Sequence, residues 1–525
     1  MPSRRWWPVG LLAGLALVAA AREVSVVILH TTDLHGRLVN LIPETGVAPE
    51  AGFLRIATLI RAVRAAHPSA LYIDCGDTIQ GTPESLASRG RILVEAIARA
   101  GCDAWVPGNH EFDWGAGAFR ELLPVARMPV LAANLAPRGG APPLPGVRPW
   151  ILRDVDGVRV AIVGVTHPTT PFWVPPPMLD GLAFEAPEKA IAAVLPDLRK
   201  GGADLRVLAL HDGLWAGRTA PAPGAIELSR RFPEFDVVLG GHTHEAVAAM
   251  ELPGGALYSQ AGWHGQHLGR VDLVYDTVRR RVVRRSATLM PADATVEPDP
   301  DLAAAFGATI ERTARELDRR LATVEGIKAV DGGLPGDEPA ARFLRRAIAE
   351  MSGAEVVIHG RLSDTPLTDG DMTLRDLWRL VPYDNRIAVC RLTPGEIRVI
   401  LEEALAQPAG RPVAGISGLL VDLEGQGPDR RVASIALPDG SSPHARRRFR
   451  VALNGYALAS AGGRLPQLRR LAFQPEAALE LTTIDTRDAA RAWAERRRRI
   501  RPEDLGPPGY RTIRSLKERV AAPAE

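Results

Sequence analysis

The sequence predicts an α/β fold in two domains, and three observations carry that prediction. Apolar runs of strand length, VSVVIL, ALYI, DAWV, LRVLAL and FDVVL, recur through the first half between segments of helical periodicity. Each run ends in a short loop rich in Asp, His, Asn and Gly. Near residue 290 the string LMPADATVEPDPDL shifts the composition toward Pro and Asp and marks a boundary. A length of 525 residues exceeds a single typical core, and 46% apolar content suffices for two. The formal charge of +3 is small for this length and argues against an extended nucleic-acid face. The basic runs Arg279–Arg281, Arg446–Arg448 and Arg496–Arg499 read as solvated surfaces.

The chain begins with an expected export signal. Met1 to Ala21 places Arg4 and Arg5 before an apolar stretch ending LLAGLALVAAA, with small residues before a cleavage point near Ala21 or Arg22. Residues 1–21 are therefore expected to be a signal peptide, and the protein periplasmic or secreted. The apolar stretch is short for a membrane span, which needs about 20 residues. No cysteine follows it to carry a lipid, so no stable membrane anchor is expected after signal removal. The string SRRWW is a partial match to a twin-arginine signal.

Residues 22–295 then present five strand-end loops in order, TTDLHG, CGDTIQG, GNHEFDWG, LALHDG and LGGHTHE. They supply Asp33, His35, Asp77, Asn109, His211, His242 and His244. Loops at the carboxyl ends of strands in an open α/β sheet converge on one crevice, so these residues can meet. A pair of divalent ions about 3.5–4 Å apart needs a bridging carboxylate, for which Asp77 is the choice, and clamps both oxygens of an in-line displacement. Imidazoles with a carboxylate and an amide suit Mn, Zn, Fe or Co rather than calcium. One such residue alone reads as an ordinary solvated loop; seven in order do not.

The order DxH, GDxxxG, GNHE, H and GHTH resembles the calcineurin-like metallophosphoesterases, and ILHTTDLHGRL with GNHEFDWG resembles the bacterial 5′-nucleotidase branch. The resemblance implies a four-layer αββα catalytic domain. It also implies one ion held by Asp33, His35, Asp77 and His244, and another held by Asp77, Asn109, His211 and His242. It further implies a catalytic dyad, His110 and Asp113. The spacing agrees, since a carboxylate three residues on can fix the tautomer of the imidazole and raise its basicity.

Other histidines read differently. His30 ends the first strand and is expected to pack beside the site. His167 in GVTHPTTPFW reads as a loop residue or an entrance residue, and His264 and His267 as part of a connecting segment. His67, His359 and His444 have no ligand spacing. Cys75, Cys102 and Cys390 are an odd set, so at least one thiol stays free or pairs with another chain. Cys75 reads as a packing residue, with a Cys75–Cys102 bridge as the alternative.

Residues 296–322 are expected to form a linker helix, from apolar spacing in DLAAAFGATIERTARELDRRLATV. In residues 323–525, EPAARFLRRAIAEM reads as a helix, AEVVIH as a strand, TLRDLWRLV as a helix, and RIAVCRLTPGEIRVILEEAL as a strand entering a helix. This half resembles the 5′-nucleotidase C-terminal domain, a mixed α/β unit that grips the nucleoside with arginines and two aromatic rings. The resemblance implies substrate contacts from Arg361 and Tyr456. The chain departs from the family at IHGRL, which keeps Gly360 and Arg361 only, near Val413, where an aliphatic replaces the first aromatic, and at Gly462, Gly463 and Arg464, where an arginine stands for the acid that holds ribose hydroxyls.

The resulting expectation is an exported two-metal phosphoesterase acting on a small nucleotide. Its type is 5′-nucleotidase, UDP-sugar hydrolase or 2′,3′-cyclic phosphodiesterase, with metal-bound hydroxide attacking in line. The alternatives are a thiosulfohydrolase-like sulfur-ester hydrolase on the same scaffold and a non-catalytic ligand-binding protein. The intact ligand set and dyad argue against the last.

Overall fold

The computed structural model describes residues 23–512 apart from 45, 141–143, 215–222, 328–333, 335, 408–413 and 426–428. The expected signal peptide and Val413 lie outside the described residues. Among the described residues no helix is long and apolar enough to cross a membrane.

The N-terminal half is a four-layer αββα sandwich. A seven-stranded sheet runs in the order Arg281–Pro291, His267–Asp276, Glu23–Thr31, Leu71–Asp74, Ala104–Trp105, Val130–Leu131, Val147–Arg148. A six-stranded sheet faces it in the order Ala246–Glu251, Leu257–Ala261, Val237–Leu239, Leu205–Leu210, Val158–Val165, Trp150–Val155. The alternation of side chains along a strand explains the layers. In Glu23–Thr31, Val24, Val26 and Ile28 enter the core between the sheets, together with Ile162, Val207 and Val237 of the facing sheet. Val27 and Leu29 point the other way, onto helices Phe53–Ala66 and Arg91–Arg99. Helices Pro187–Lys200 and Ala225–Arg231 cover the outer face of the second sheet.

Strands Glu23–Thr31, Leu71–Asp74 and Ala104–Trp105 are mutually parallel, as are Val158–Val165, Leu205–Leu210 and Val237–Leu239. Their carboxyl ends therefore lie on one side, which brings the five loops together.

The expected linker helix is shorter than predicted. It spans Pro300–Leu317, capped by the Asp299 carboxylate on the Asp301 and Leu302 amides. Arg320–Val324 is instead a strand, paired with Gly370–Thr373 and Arg499–Ile500. The predicted C-terminal helices form, and the predicted strands Val356–His359 and Arg386–Leu392 enter a five-stranded sheet ordered Gly415–Ser417, Val356–His359, Phe449–Asn454, Arg386–Leu392, Glu480–Asp485. Helix Pro394–Leu405 packs on one face through Ile397, Ile400 and Leu401. Apart from the half-buried Arg448, the three basic runs are exposed, and several of their arginines meet acids: Arg279 with Asp276, Arg447 with Glu355, and Arg497 with Asp504.

All three cysteines are buried and free. The Cys75–Cys102 bridge does not form, because Cys75 lies in the core between the sheets and Cys102 in the core on the opposite face of the first sheet.

Candidate metal centre

The structure brings six of the seven predicted ligands into two clusters, and buries the seventh, Asn109, beside Gly108 and His110. Asp33, His35 and His244 form one cluster and Asp77, His211 and His242 another, with the ligand atoms of each cluster within 4.8 Å of one another. The first loop is laced to the second by backbone bonds from Asp33 N to Gly76 O (2.8 Å), His35 N to Asp77 O (2.9 Å) and Gly36 N to Thr78 O (2.9 Å). His242 N donates to Asp33 Oδ2 (3.0 Å), which ties the last loop to the first.

Side chains around the clusters aim the ligand atoms inward. His35 Nδ1 donates to Gln80 O (3.1 Å) and His211 Nδ1 to Cys75 O (2.6 Å), so each ring turns its Nε2 toward the centre. His35 Nε2 and His244 Nε2 lie 3.0 Å apart, and His211 Nε2 lies 3.0 Å from Asp77 Oδ2. Thr32 and His242 satisfy Asp33 Oδ2, while Asp33 Oδ1 and both polar atoms of the Asn109 amide are buried without a hydrogen-bond partner. Orphaned buried polar atoms are costly, about 1–3 kcal/mol each. Their convergence, with oxygen and imidazole donors in one cage, fits divalent cations of the Mn, Zn, Fe or Co type.

Electrostatics agree. Burial pushes the Asp33 carboxyl up to about 7 in the absence of a cation. Burial also resists ionisation of Asp77, yet His211 and His110 outweigh it and hold that carboxyl well below the usual range. Burial, reinforced by His244, holds His35 neutral, as a ligand must be.

The backbone is strained here. Asp33, His35, Asp77, His242 and His244 adopt left-handed conformations with φ of 52°, 47°, 51°, 70° and 59°. Such non-glycine conformations cost about 1 kcal/mol or more each and concentrate at functional sites. Gly108 has no room for a side chain, since a Cβ there would lie 2.2 Å from Asp77 Oδ1 and 2.6 Å from His211 Nε2.

His110 and Asp113 stand beside the clusters in the short helical turn after Asn109. His110 Nδ1 donates to Asp113 Oδ2 (2.7 Å), and His110 N donates to Asp77 Oδ1 (2.8 Å). Burial opposes protonation of His110, but the Asp113 and Asp77 carboxylates prevail and push its pKa up to about 10. Its Nε2 is left for a ligand in the adjoining cleft.

That cleft, about 640 Å³, lies between the two halves of the chain. Asp77, His110, His242 and His244 line one side, and Arg361 and Tyr456 the other. Arg361 also pairs with Asp364 (2.7 Å). Tyr383 from the C-terminal half stacks on His110 at 5.8 Å and 14°. Trp114 Nε1 donates to Asp384 Oδ2 (3.1 Å), and Asp384 also pairs with Arg487.

Several residues escape the sequence reading. Glu111 is fully buried, and its carboxylate accepts from the amides of Asp77 (3.0 Å), Thr78 (2.7 Å) and Gly108 (2.5 Å). The GNHE string contained it without showing what it would hold. His167 is not at the entrance: it is buried and stacks on His242 at 4.0 Å, with Asp212 3.6 Å from its Nδ1. His264 is no mere connector either, for it is buried 5.6 Å from the His35 ring and donates its amide to Asp33 O (2.7 Å). His30 packs beside the site on Ser259 (3.0 Å), as expected. Trp173 places its ring 5.2 Å from His242 and 5.6 Å from Tyr456.

Residues 26–246 match the model of the calcineurin-like phosphoesterases, and residues 325–470 match that of the 5′-nucleotidase C-terminal domain. Residues 26–246 thus form a calcineurin-like phosphoesterase domain, and residues 325–470 a domain of the 5′-nucleotidase C-terminal type. It is 26% identical over 464 residues to the 5′-nucleotidase of Vibrio cholerae, a match covering 78% of this chain and 83% of that one. Among solved structures, the fold is shared with a 5′-nucleotidase precursor from Thermus thermophilus (TM-score 0.67, 20% identity, 94% of this chain and 100% of that one). It is also shared with the sulfate thiohydrolase SoxB of Thermus thermophilus (TM-score 0.63, 20% identity, 93% and 96%). These matches indicate a metal-dependent phosphoric ester hydrolase.

Proposed function

We propose that the protein is an exported two-metal phosphoesterase that hydrolyses nucleotide phosphate esters. The observation that carries this reading is the convergence of two ligand clusters, with orphaned buried Asp33 and Asn109 atoms, beside a hydrogen-bonded His110–Asp113 dyad at the mouth of a cleft. Asp33, His35 and His244 would hold one ion, Asn109, His211 and His242 the other, with Asp77 between them. Bound divalent ions supply Lewis-acid polarisation of the phosphoryl group and a water acidified toward neutral pH.

The protein's own groups do the rest. Asp113 fixes the His110 ring with Nε2 toward the cleft, and the protonated ring stabilises negative charge growing on phosphoryl or leaving-group oxygens. Tyr383, stacked on His110, shields that ring from bulk water on one face. Arg361 and Tyr456 on the opposite wall contact the part of the substrate that is not transferred. The family name of the Vibrio cholerae relative supports a nucleotide substrate, and the Met1–Ala21 sequence supports export.

A second reading, hydrolysis of a sulfur ester, has one specific observation in its favour. Trp173 packs directly on Tyr456 at 5.6 Å and 30°, which leaves no slot for a base between those two rings.

The test is phosphate release from AMP, UDP-glucose and 2′,3′-cyclic AMP by protein reconstituted with Mn²⁺, beside a His110→Ala control. Release that is lost in the control supports the phosphoesterase reading and ranks its substrates. No release from any of them, at full metal loading, overturns the nucleotide substrate and moves the assay to sulfur esters.

A further inference from the structure

We propose that Arg464 and Arg386 form a second anion site in the cleft, so that the preferred substrate carries a non-transferred phosphate or carboxylate besides the ester that is cleaved. The inference rests on the phosphoester-hydrolase reading and names a further requirement of the same cleft.

Three arginines, Arg361, Arg386 and Arg464, line the C-terminal wall of the cleft, all of them half-buried. The one carboxylate on that wall, Asp384, is already paired with Arg487. Arg361 has the exposed Asp364 as a partner. Arg386 makes no side-chain hydrogen bond or ion pair among the described residues, and Arg464 no ion pair. Arg464 uses Nε on Ala461 O (2.8 Å) and one Nη2 hydrogen on the Tyr456 hydroxyl (2.9 Å). A guanidinium has five N–H donors and always carries its charge, so three donors and a full positive charge remain on the cleft wall.

The position of Arg464 sets what it reads. Contacts lead from His242 to Trp173 (5.2 Å), from Trp173 to Tyr456 (5.6 Å) and from the Tyr456 ring to the Arg464 guanidinium (5.9 Å). Arg464 is thus linked to the metal ligand His242 through two aromatic rings and makes no ion pair or hydrogen bond with a metal ligand among the described residues. The Arg386 backbone runs beside the same tyrosine, since Asn385 Oδ1 accepts from Tyr456 N (3.2 Å) and the Arg386 carbonyl lies against Gly455, and Arg386 lines the same cleft. A neutral ribose or sugar at this wall would leave two cations unpaired in a cleft partly closed to water, and an anion would pair them.

The experiment compares matched pairs: AMP with adenosine 3′,5′-bisphosphate for phosphate, and UDP-glucose with UDP-glucuronate for carboxylate. The wild type should favour the doubly anionic member of at least one pair by roughly 10–100-fold in kcat/KM, the range of a charge-assisted hydrogen bond. Arg464→Gln should abolish that ratio, and Arg464→Lys should keep most of it. The absence of a preference in the wild type, or a ratio unchanged in Arg464→Gln, overturns the proposal. Calorimetric binding of the same pairs to EDTA-treated protein separates the two readings. A preference in binding without turnover keeps the anion site and overturns hydrolysis; no preference in binding and none in turnover overturns the anion site.

Discussion

Glu111 Oε2 accepts the backbone amide of Asp77 at 3.0 Å, which fixes the proposed bridging ligand from a residue that belongs to neither cluster. The same carboxylate holds Thr78 N and Gly108 N, so one buried side chain binds two ligand loops to each other.

Glu111→Gln keeps the shape but turns one acceptor into a donor facing amide hydrogens. Mn²⁺ affinity should fall about 10–100-fold, the usual effect of losing a group that orients ligands. Calorimetric titration of the metal-free protein reads this directly, and an affinity equal to wild type would show that the loops hold themselves.

His110→Ala should lower kcat by roughly 10²–10⁴ while two ions per chain remain bound. Asp113→Asn should lower it less, because His110 keeps its place but loses its partner's charge. Unchanged turnover in both variants at full metal loading would remove the dyad from the chemistry.

Gly108→Ala should abolish the Asp77–His211–His242 site, since its Cβ would overlap Asp77 Oδ1 and His211 Nε2. Elemental analysis should find fewer ions than in wild type, with far-ultraviolet circular dichroism unchanged. Full occupancy would mean that the loop can retreat.

His359 in the C-terminal half supplies a pH dependence independent of metal. Burial pushes its pKa down to about 4; its Nδ1 donates to Gly360 O (2.5 Å), and Asn454 Nδ2 approaches its Nε2 at 3.3 Å. The unfolded chain takes up this proton near pH 6.5 and the folded chain only near 4, so stability is complete above 6.5 and declines as pH falls from 6.5 to 4. The loss from this group is about 3 kcal/mol. Urea unfolding of EDTA-treated protein should show a shallower decline over that window in His359→Gln than in wild type. Identical slopes would mean that His359 takes up its proton at the same pH in the folded and the unfolded chain.

The sequence displayed the α/β pattern and all seven candidate ligands because each ligand follows directly on an apolar strand, a local signal. It did not display the end of the helix at Leu317, because Arg320–Val324 becomes a strand only by pairing with Gly370–Thr373 some fifty residues later. Glu111, His167 and His264 stayed hidden for the same reason: their partners are backbone amides and rings on other loops. Trp173 reads as one aromatic in a proline-rich loop until the fold sets it between His242 and Tyr456.

The left-handed turns at Asp33, His35, Asp77, His242 and His244 also constrain how the chain can evolve. Glycine would relax each backbone, but glycine has no atom to offer an ion. Selection for stability alone would drift these positions toward glycine or asparagine, and only a continuing demand for metal keeps aspartate and histidine there. An inactive descendant of this protein should therefore lose its ligands first at the positions where its backbone is most strained.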